Sequence, residues 1–388
     1  MENFEFSSPT KIIFGKRTEE HVGEEVKSYS SRILLIYGSG SIKKTGLYDR
    51  IVASLKRSRV EFVELAGVQP NPRLSLVEKG ISICKKQGIG FVLAVGGGSV
   101  IDSAKAIGAG ACYDGDVWDF FPPKKPVTKC LPIGVVLTIP AAGSEASQFA
   151  VITREDTQQK LPMQGEALRP RFAILNPELT FTLPAYQTAC GCVDIMGHVI
   201  ERYFTTVPNV DLTDRLCEAV LKTVITNAPA VLAEPQNYAA RAEIMWAGTL
   251  AHNDLLSTGR IGDWSSHRIE HELSAIYDIA HAAGLAVIYP AWMKYSFKKD
   301  IKRFVQFAVG VWDVDLPFES EERIALEGIR RMESFLKELG LAVRLKELNI
   351  SGERFDEMAE KCAAFWSSMG NYQKLEKQVV KDILELAL

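Results

Sequence analysis

Short apolar runs alternate with helical patterns over the first half of the chain, and this alternation limits the possible folds more than any other feature. Residues 33–37, 91–95 and 133–139 are almost continuously apolar, as strands of a parallel sheet are when both faces are buried. Helical patterns at 47–57 and 74–87 lie between the first two runs, and another begins after the second. This order predicts an α/β domain with a doubly wound, mostly parallel sheet.

The second half of the chain has a different pattern. Strand-like runs end at Leu183-Pro184, and helical periodicity interrupted by prolines follows. The 388 residues also exceed the roughly 250–300 at which a single core stops growing. We therefore predict two domains, an α/β domain over residues 1–184 and an all-α domain over residues 185–388.

The composition argues against nucleic-acid and membrane partners. The formal net charge is -3, so no basic field attracts a nucleic acid. The longest apolar stretches, residues 88–101 and 131–143, are shorter than the ~18 residues that a membrane helix needs. The seven cysteines lack the repeated spacing of a disulfide framework. These observations predict a cytoplasmic protein.

Two glycine-rich segments follow apolar runs, and we interpret them as phosphate-binding loops. Gly38-Ser39-Gly40-Ser41 follows the first run, and Gly96-Gly97-Gly98-Ser99 follows the second. Ligands of open parallel sheets bind beyond the carboxyl ends of the strands, where glycine lets a pyrophosphate approach backbone N–H groups. The alternative is a pair of tight strand-to-helix turns. Neither segment matches G-x-G-x-x-G or the P-loop, which disfavours a kinase or ATPase.

The first of these segments also bears on the choice between NAD and NADP. Enzymes that prefer NAD usually place a carboxylate at the ribose 2′-hydroxyl, but residues 38–45 contain no acid. They contain Ser39, Ser41 and Lys43, which suit a 2′-phosphate. This composition favours NADP over NAD. A third segment, residues 138–145, follows another strand and offers further hydroxyls to a phosphate or ribose.

The helical half contains a group of histidines at helical spacing. Asp194 and His198 are four residues apart, as are His267 and His271, so each pair shares one helix face. His281 follows shortly after. One carboxylate and three imidazoles suit Fe²⁺ or Zn²⁺. Each feature alone is more often a surface histidine or a helix salt link, but their combination beside glycine loops predicts a metal site.

The motifs together resemble the iron-containing (group III) alcohol dehydrogenase family over nearly the whole chain. The resemblance rests on residues 96–105, 140–145, 191–198 and 267–281, with shorter matches at Pro70-Asn71-Pro72, Asn176-Pro177-Glu178 and Leu183-Pro184. Residues 37–46 resemble the branch of butanol dehydrogenases and broad-range aldehyde reductases. The resemblance implies hydride transfer with NADP or NAD between small or medium aldehydes and primary alcohols.

The resemblance also implies roles for individual residues, with a dinucleotide-binding domain and a metal domain on either side of a cleft. The four ligands of a single Fe²⁺ or Zn²⁺ would be Asp194, His198, His267 and His281. His271 would face the nicotinamide without binding the metal. As the expected catalytic residue, His271, or else a ribose hydroxyl, would pass the proton to solvent. The expected cofactor contacts are Gly38, Ser39, Gly40, Ser41, Lys43, Gly97, Gly98, Ser99, Asp102, Thr138, Ser147, Lys160, Leu179, Thr182 and His271.

Alternatives on the same architecture are glycerol dehydrogenase and the lyase dehydroquinate synthase. The lyase must hold an anionic substrate with several basic groups, and only Arg202, Arg260 and Arg268 lie near the ligand motifs. A non-catalytic metal or nucleotide binder is a third alternative. Family resemblance suggests a homodimer, for which the partly apolar residues 4–14 could supply a pairing strand.

Overall fold

The computed structural model describes residues 1–122, 125–315, 317 and 319–388. The chain divides into two compact units. The sheet unit comprises Ser7–Leu183 and Pro235–Thr249, and the helical unit comprises Met1–Phe6, Pro184–Glu234 and Leu250–Leu388. The main division lies one residue from the expected boundary at 184, but the first six residues lie in the helical unit and residues 235–249 lie in the sheet unit.

The sheet unit is built on parallel strands. Its strands are β1 (Lys11–Phe14), β2 (Arg32–Tyr37), β3 (Glu61–Leu65), β4 (Phe91–Gly96), β5 (Ile133–Leu137), β6 (Phe149–Arg154), β7 (Gln159–Gln164) and β8 (Phe172–Leu175). Six of them form one sheet in the order β1-β8-β5-β4-β2-β3, and each neighbouring pair is parallel. The predicted mostly parallel α/β sheet is confirmed. Strands β6 and β7 form a separate antiparallel hairpin, which the sequence analysis does not predict.

The strand order places a topological switch point beside β2. From β2 the chain crosses to β3 on one side and then returns to β4 on the other. Strands β4, β5 and β8 are buried at every residue, which explains their continuous apolar runs. The carboxyl ends of β2 and β4 are adjacent, since Tyr37 pairs with Val95. Doubly wound sheets bind their ligands at such a point.

Helices alternate with the strands of the sheet unit and form the regular structure that follows the last strand. In the sheet unit they are α1 (Val22–Lys27), α2 (Ser41–Lys44), α3 (Leu47–Arg57), α4 (Leu74–Gln87) and α5 (Gly98–Ala111). The later helices are α6 (Ala185–Tyr203), α7 (Asp211–Ala233), α8 (Tyr238–His252), α9 (Ser265–Tyr277), α10 (His281–Ser296), α11 (Ile301–Trp312), α12 (Glu321–Glu338), α13 (Phe355–Trp366) and α14 (Lys377–Leu386). Beyond Pro184 the described residues contain no strand, as predicted.

Most of α8 belongs to the sheet unit although it follows α6 and α7 in sequence. One contact that joins it to that unit is a hydrogen bond of 2.7 Å from the hydroxyl of Thr249 to the carboxylate of Glu145. Glu145 is buried, and burial raises the pKa of its carboxyl. Thr249 therefore supplies a polar partner to an acid that water does not reach.

Helix α7 is the one described helix that is long and apolar enough to cross a membrane, by length and composition alone. Buried core helices pass the same test. On one face of α7, Asp214 binds Arg260 and Arg303 at 2.9 and 2.7 Å, and Glu218 accepts a hydrogen bond from Tyr203. These contacts direct the charged face of α7 into the protein, so the helix carries no argument for a membrane span.

Candidate metal centre and cofactor loops

Three helices of the helical unit bring the predicted metal ligands together. Helix α6 carries Asp194 and His198, α9 carries His267, and α10 begins at His281. Helix α10 packs against both α6 and α9. As a result, one ligand atom each of Asp194, His267 and His281 lies within 4.8 Å of the other two. Residues that are distant in sequence thus form one compact donor group.

His198 lies beside this group on the same face of α6 as Asp194. Its Nε2 is 3.6 Å from Oδ1 of Asp194, and Nε2 of His281 is 3.9 Å from the same oxygen. The ring centroids of His198 and His267 are 4.8 Å apart. Tetrahedral ligands with bonds of about 2.1 Å are about 3.4 Å from one another, so these separations are close to those of a four-coordinate site.

The donor set fits a divalent cation. The Nε2 atom of His267 is buried and has no hydrogen-bond partner among the described residues, although a buried imidazole normally satisfies both nitrogens. Burial lowers the pKa of His198 and of His267 well below the ordinary value, so both rings are neutral and offer a lone pair. Neutral imidazoles with a carboxylate suit Fe²⁺ and Zn²⁺.

Two buried glutamates hold the rings of this group and were not predicted as functional residues. Glu201 contacts Nδ1 of His267 at 2.8 Å, and Glu270 contacts Nδ1 of His281. A carboxylate on Nδ1 leaves Nε2 to bind a metal. Both glutamates lie three residues after a predicted ligand, so i,i+3 spacing on a helix was the available signal.

The predicted catalytic residue, His271, lies one turn after His267 on α9. It is buried, and its ring centroid is 5.5 Å from that of His281. His271 is not part of the Asp194, His267 and His281 group, although it forms a second close group with Glu270 and His281. The structure therefore puts His271 beside the candidate metal centre, in a place compatible with a non-ligand role.

In the sheet unit, the two glycine segments follow neighbouring strands at the switch point. Residues 38–41 follow β2 and residues 96–99 connect β4 to α5. Gly97 is extended (φ -92°, ψ -168°), so a positive φ is not what requires glycine there. A Cβ on Gly97 would lie 3.0 Å from Cβ of Ile139. Close approach of the next loop is the structural reason for glycine here, and it leaves the first N–H groups of α5 accessible.

A buried lysine that the sequence analysis overlooked connects α5 to the segment after β5. Nζ of Lys105 donates to Oγ of Ser144 at 3.0 Å and to the carbonyl oxygens of Ser147 and Phe149 at 2.9 and 2.7 Å. Asp102 accepts from Ser144 at 2.6 Å. Burial lowers the pKa of Lys105 to about 8. The predicted contacts Asp102 and Ser147 are therefore tied into one internal network.

The remaining predicted cofactor contacts of the sheet unit differ in their surroundings. The backbone N–H of Thr138 donates to Gly96 at 3.1 Å, which places Thr138 directly beside the glycine segment. Lys160 on β7 is buried and donates to Asn71 at 3.0 Å. Leu179 packs against the hydrophobic core, and Thr182 is exposed. Asn71 was missed as a candidate polar residue at this site.

The surroundings of Lys43 differ from the sequence expectation. Residues 38–45 contain no acid, but β3 lies beside β2 and brings Glu64 to within 3.6 Å of Nζ of Lys43. The expectation of NADP rested only on the residues of the segment after β2. Glu64 lies near the end of the neighbouring strand β3, which reaches the same edge of the sheet.

Both halves of the chain match models of a known family. The iron-containing alcohol dehydrogenase model matches residues 9–177, and the model of the C-terminal part of the Fe-containing alcohol dehydrogenase family matches residues 188–388. A probable NADH-dependent butanol dehydrogenase of Bacillus subtilis is 47% identical, with 100% of both chains covered. An NADPH-dependent aldehyde reductase of Escherichia coli is 35% identical, also with 100% of both chains covered.

Solved structures show the same similarity. The crystal structure of an NADH-dependent butanol dehydrogenase from Thermotoga maritima superposes with a TM-score of 0.96 at 42% identity. The comparison covers 100% of this chain and 99% of the other. The similarity therefore extends over both the sheet and the helices and is not limited to the glycine and histidine motifs.

Proposed function

The chain belongs to the iron-containing alcohol dehydrogenase family, and on this premise we propose that it interconverts small or medium aldehydes and primary alcohols by hydride transfer with NADH or NADPH. The observation that carries the proposal is the convergence of Asp194, His267 and His281 within 4.8 Å. The names of the relatives support this substrate class, since they include NADH-dependent butanol dehydrogenases and an NADPH-dependent aldehyde reductase.

Asp194, His198, His267 and His281 are the proposed ligands of one Fe²⁺ or Zn²⁺. Such an ion would supply Lewis-acid polarisation of the substrate oxygen. Glu201 and Glu270 hold the two histidines from α9 and α10 by their Nδ1 atoms. Because these glutamates are buried, the rings are oriented before any ligand binds, which limits the reorganisation that catalysis requires.

The sheet unit is the proposed dinucleotide-binding part of the enzyme. The glycine segments after β2 and β4 offer backbone N–H groups to the pyrophosphate. A nicotinamide cofactor held by these segments would supply or accept the hydride. His271 is the proposed proton carrier, because it is a buried imidazole next to the proposed ligand group and an imidazole can both accept and donate a proton.

An anion-binding lyase is less consistent with the contacts of the basic residues. Arg202 donates to the carbonyl of His198 and to Ser257. Arg260 binds Asp214 at 2.9 Å. The guanidinium of Arg268 lies 4.2 Å from the centroid of the Trp366 ring. All three arginines are engaged in internal contacts, so they do not form a set directed at a substrate carboxylate.

We further infer that the protein acts in the cytoplasm as a homodimer. Strand β1 is at the edge of the sheet, and among the described strands it pairs with β8 alone. Phe14 on β1 is exposed. An edge strand with an exposed aromatic residue is a surface that a second copy can cover. Light scattering during size-exclusion chromatography tests this, and a monomer mass would contradict it.

The function is tested by metal analysis together with NADH and NADPH oxidation over a series of short-chain aldehydes. We expect close to one Fe or Zn per chain and aldehyde-dependent oxidation. His267→Ala should lose both the metal and the activity, whereas the exposed His21→Ala control should lose neither. Full metal content and full rate in His267→Ala would refute the ligand assignment. An unaltered protein that oxidises neither cofactor with any aldehyde would refute the function.

A further inference from the structure

A group of four side chains lies where β2 and β3 end, and we call it the Glu64 cluster. Its members are Tyr37, Lys43, Tyr48 and Glu64. The two carboxylate oxygens of Glu64 accept hydrogen bonds from the phenol hydroxyls of Tyr37 at 2.5 Å and Tyr48 at 2.6 Å. Nζ of Lys43 lies 3.6 Å from Glu64 and 4.6 Å from the centroid of the Tyr48 ring. Glu64 is thus held by two donors while facing one cation.

The protonation state of each group in the Glu64 cluster at neutral pH follows from its pKa. Burial alone would raise the pKa of Glu64, but hydrogen bonds from the two tyrosines and the charge of Lys43 bring it below its ordinary value. The hydrogen bond to Glu64 raises the pKa of Tyr48 to about 12. The phenols are therefore neutral donors, Glu64 is an anion, and its charge opposes that of Lys43.

The place of the cluster relates it to the adenosine end of a dinucleotide. Tyr37 is the last residue of β2, and Lys43 lies on α2, directly after Gly38 to Ser41. The glycine segment of the neighbouring β4 is one of the two proposed pyrophosphate-binding segments. In doubly wound sheets the group that reads the ribose 2′ position lies beyond a strand next to the pyrophosphate loop. The charged side chains at the ends of β2 and β3 are therefore placed where they could contact the 2′-phosphate of a bound NADPH.

We propose that Glu64 is a specificity-determining residue which, acting through Lys43, disfavours NADPH and leaves NADH as the preferred cofactor. The proposal rests on the proposed function, because it assumes that the sheet unit binds the dinucleotide. A 2′-phosphate needs an uncompensated cation, and the charge of Lys43 is already balanced by Glu64. The carboxylate also repels the phosphate. The neutral 2′-hydroxyl of NADH experiences neither effect.

Glu64→Gln tests the proposal, because the amide keeps the size and an acceptor for a phenol but removes the charge. We expect the Kd for NADPH and for adenosine 2′,5′-bisphosphate to fall by about tenfold, and the Kd for NADH to change by less than about twofold. The change should appear in the KM for NADPH, with kcat unaltered. Binding is measured by fluorescence titration of the metal-loaded protein. Glu61→Gln is the matched control, since Glu61 begins the same strand and is exposed.

Lys43→Met, alone and combined with Glu64→Gln, separates a role through Lys43 from a direct one. In the Lys43→Met background, Glu64→Gln should lower the Kd for NADPH by clearly less than tenfold, because only the direct repulsion by the carboxylate is then removed. An equal tenfold gain in that background would overturn the role of Lys43. An unaltered ratio of the NADPH and NADH dissociation constants in Glu64→Gln would overturn the inference while the proposed function stood, because the enzyme would still bind both dinucleotides. Failure of the unaltered protein to bind either dinucleotide would instead overturn the function.

Discussion

Glu201 contacts two atoms of His267 at once. One oxygen of its carboxylate, Oε1, is 2.8 Å from Nδ1 of the ring and 3.0 Å from the backbone nitrogen of the same residue. The two contacts fix both the position of the ring and the nitrogen that carries its proton. Nε2, which has no hydrogen-bond partner among the described residues, is then left as the atom that can bind a metal. The geometry of the candidate metal centre therefore depends on an acid that is not itself in the donor group.

We predict that Glu201→Gln lowers metal affinity by about 10- to 100-fold, the usual effect of losing a carboxylate behind a metal-binding histidine. The variant keeps the shape of the side chain but removes the charge that polarises the ring. Competition with a chelator, followed by metal analysis, measures the affinity. Glu24→Gln, at an exposed position, is the control. Equal metal affinities in the unaltered protein and the Glu201 variant would show that the contact is only structural.

Lys105→Met should destabilise the sheet unit by about 3 kcal/mol, because buried acceptors would lose their cation. These acceptors are Ser144 and the carbonyl groups of Ser147 and Phe149. The variant should also bind NADH more weakly, since the segment after β5 adjoins the glycine loop. Chemical denaturation and a binding titration measure the two effects. Lys86→Met, at an exposed site, should change neither, and a Lys105 variant as stable as the unaltered protein would contradict the assigned role.

Glu272 predicts a pH dependence of stability. It is buried on α9, 3.7 Å from Lys361, and burial raises its pKa from 4.5 to about 7. The folded state therefore holds an extra proton between these values, and stability from this group is lost as pH rises through that window. Glu272→Gln removes this loss. The free energy of unfolding of the variant, relative to that of the unaltered protein, should therefore rise by on the order of 3 kcal/mol from pH 4.5 to pH 7.

Thermal unfolding of both proteins across this pH range measures the difference for Glu272. Glu360→Gln, an exposed position on α13, should run parallel to the unaltered protein. A constant difference between the Glu272 variant and the unaltered protein from pH 5 to pH 8 would mean that Glu272 does not titrate in this window.

Gly97→Ala tests the close approach behind the β4 loop. Its Cβ would lie 3.0 Å from Cβ of Ile139, so one of the two segments must move by a few tenths of an ångström. We expect a stability loss of about 1 kcal/mol and a larger relative loss of NADH affinity, since backbone position matters more for a pyrophosphate than for the core. Chemical denaturation measures the loss of stability, and an NADH titration measures the loss of affinity. An unchanged affinity for NADH would show that Gly97 has no role in cofactor binding.

The elements with a strong periodic pattern were predictable from the sequence. Residues 47–57 and 74–87 coincide with α3 and α4, because their buried residues recur on one helix face. Helices α11 and α14 were not predicted. Helix α11 packs against α7 and α12, and α14 packs against α10 and α13, so much of their stability comes from tertiary contacts.

The limits of prediction were similar at the candidate sites. Asp194 and the histidines are recognisable by residue type and helical spacing. The role of Glu64 is not recognisable in the sequence, because its ion pair with Lys43 forms only when β3 pairs with β2 in the observed register. Lys105 was hidden for a similar reason, since lysine on an apolar helix is normally read as an exposed residue. Pairing between strands and burial of charge are properties of the assembled chain.

The assignment of Pro235–Thr249 to the sheet unit has a consequence for synthesis on the ribosome. The partner of Glu145, the hydroxyl of Thr249, emerges 104 residues later, after the chain of α6 and α7 has already been made. During synthesis, Glu145 therefore lacks this partner while the more than fifty residues between Pro184 and Glu234, which belong to the helical unit, are made. A fragment that ends at residue 183 would lack residues 235–249 of the sheet unit, and with them the hydrogen-bond partner of Glu145.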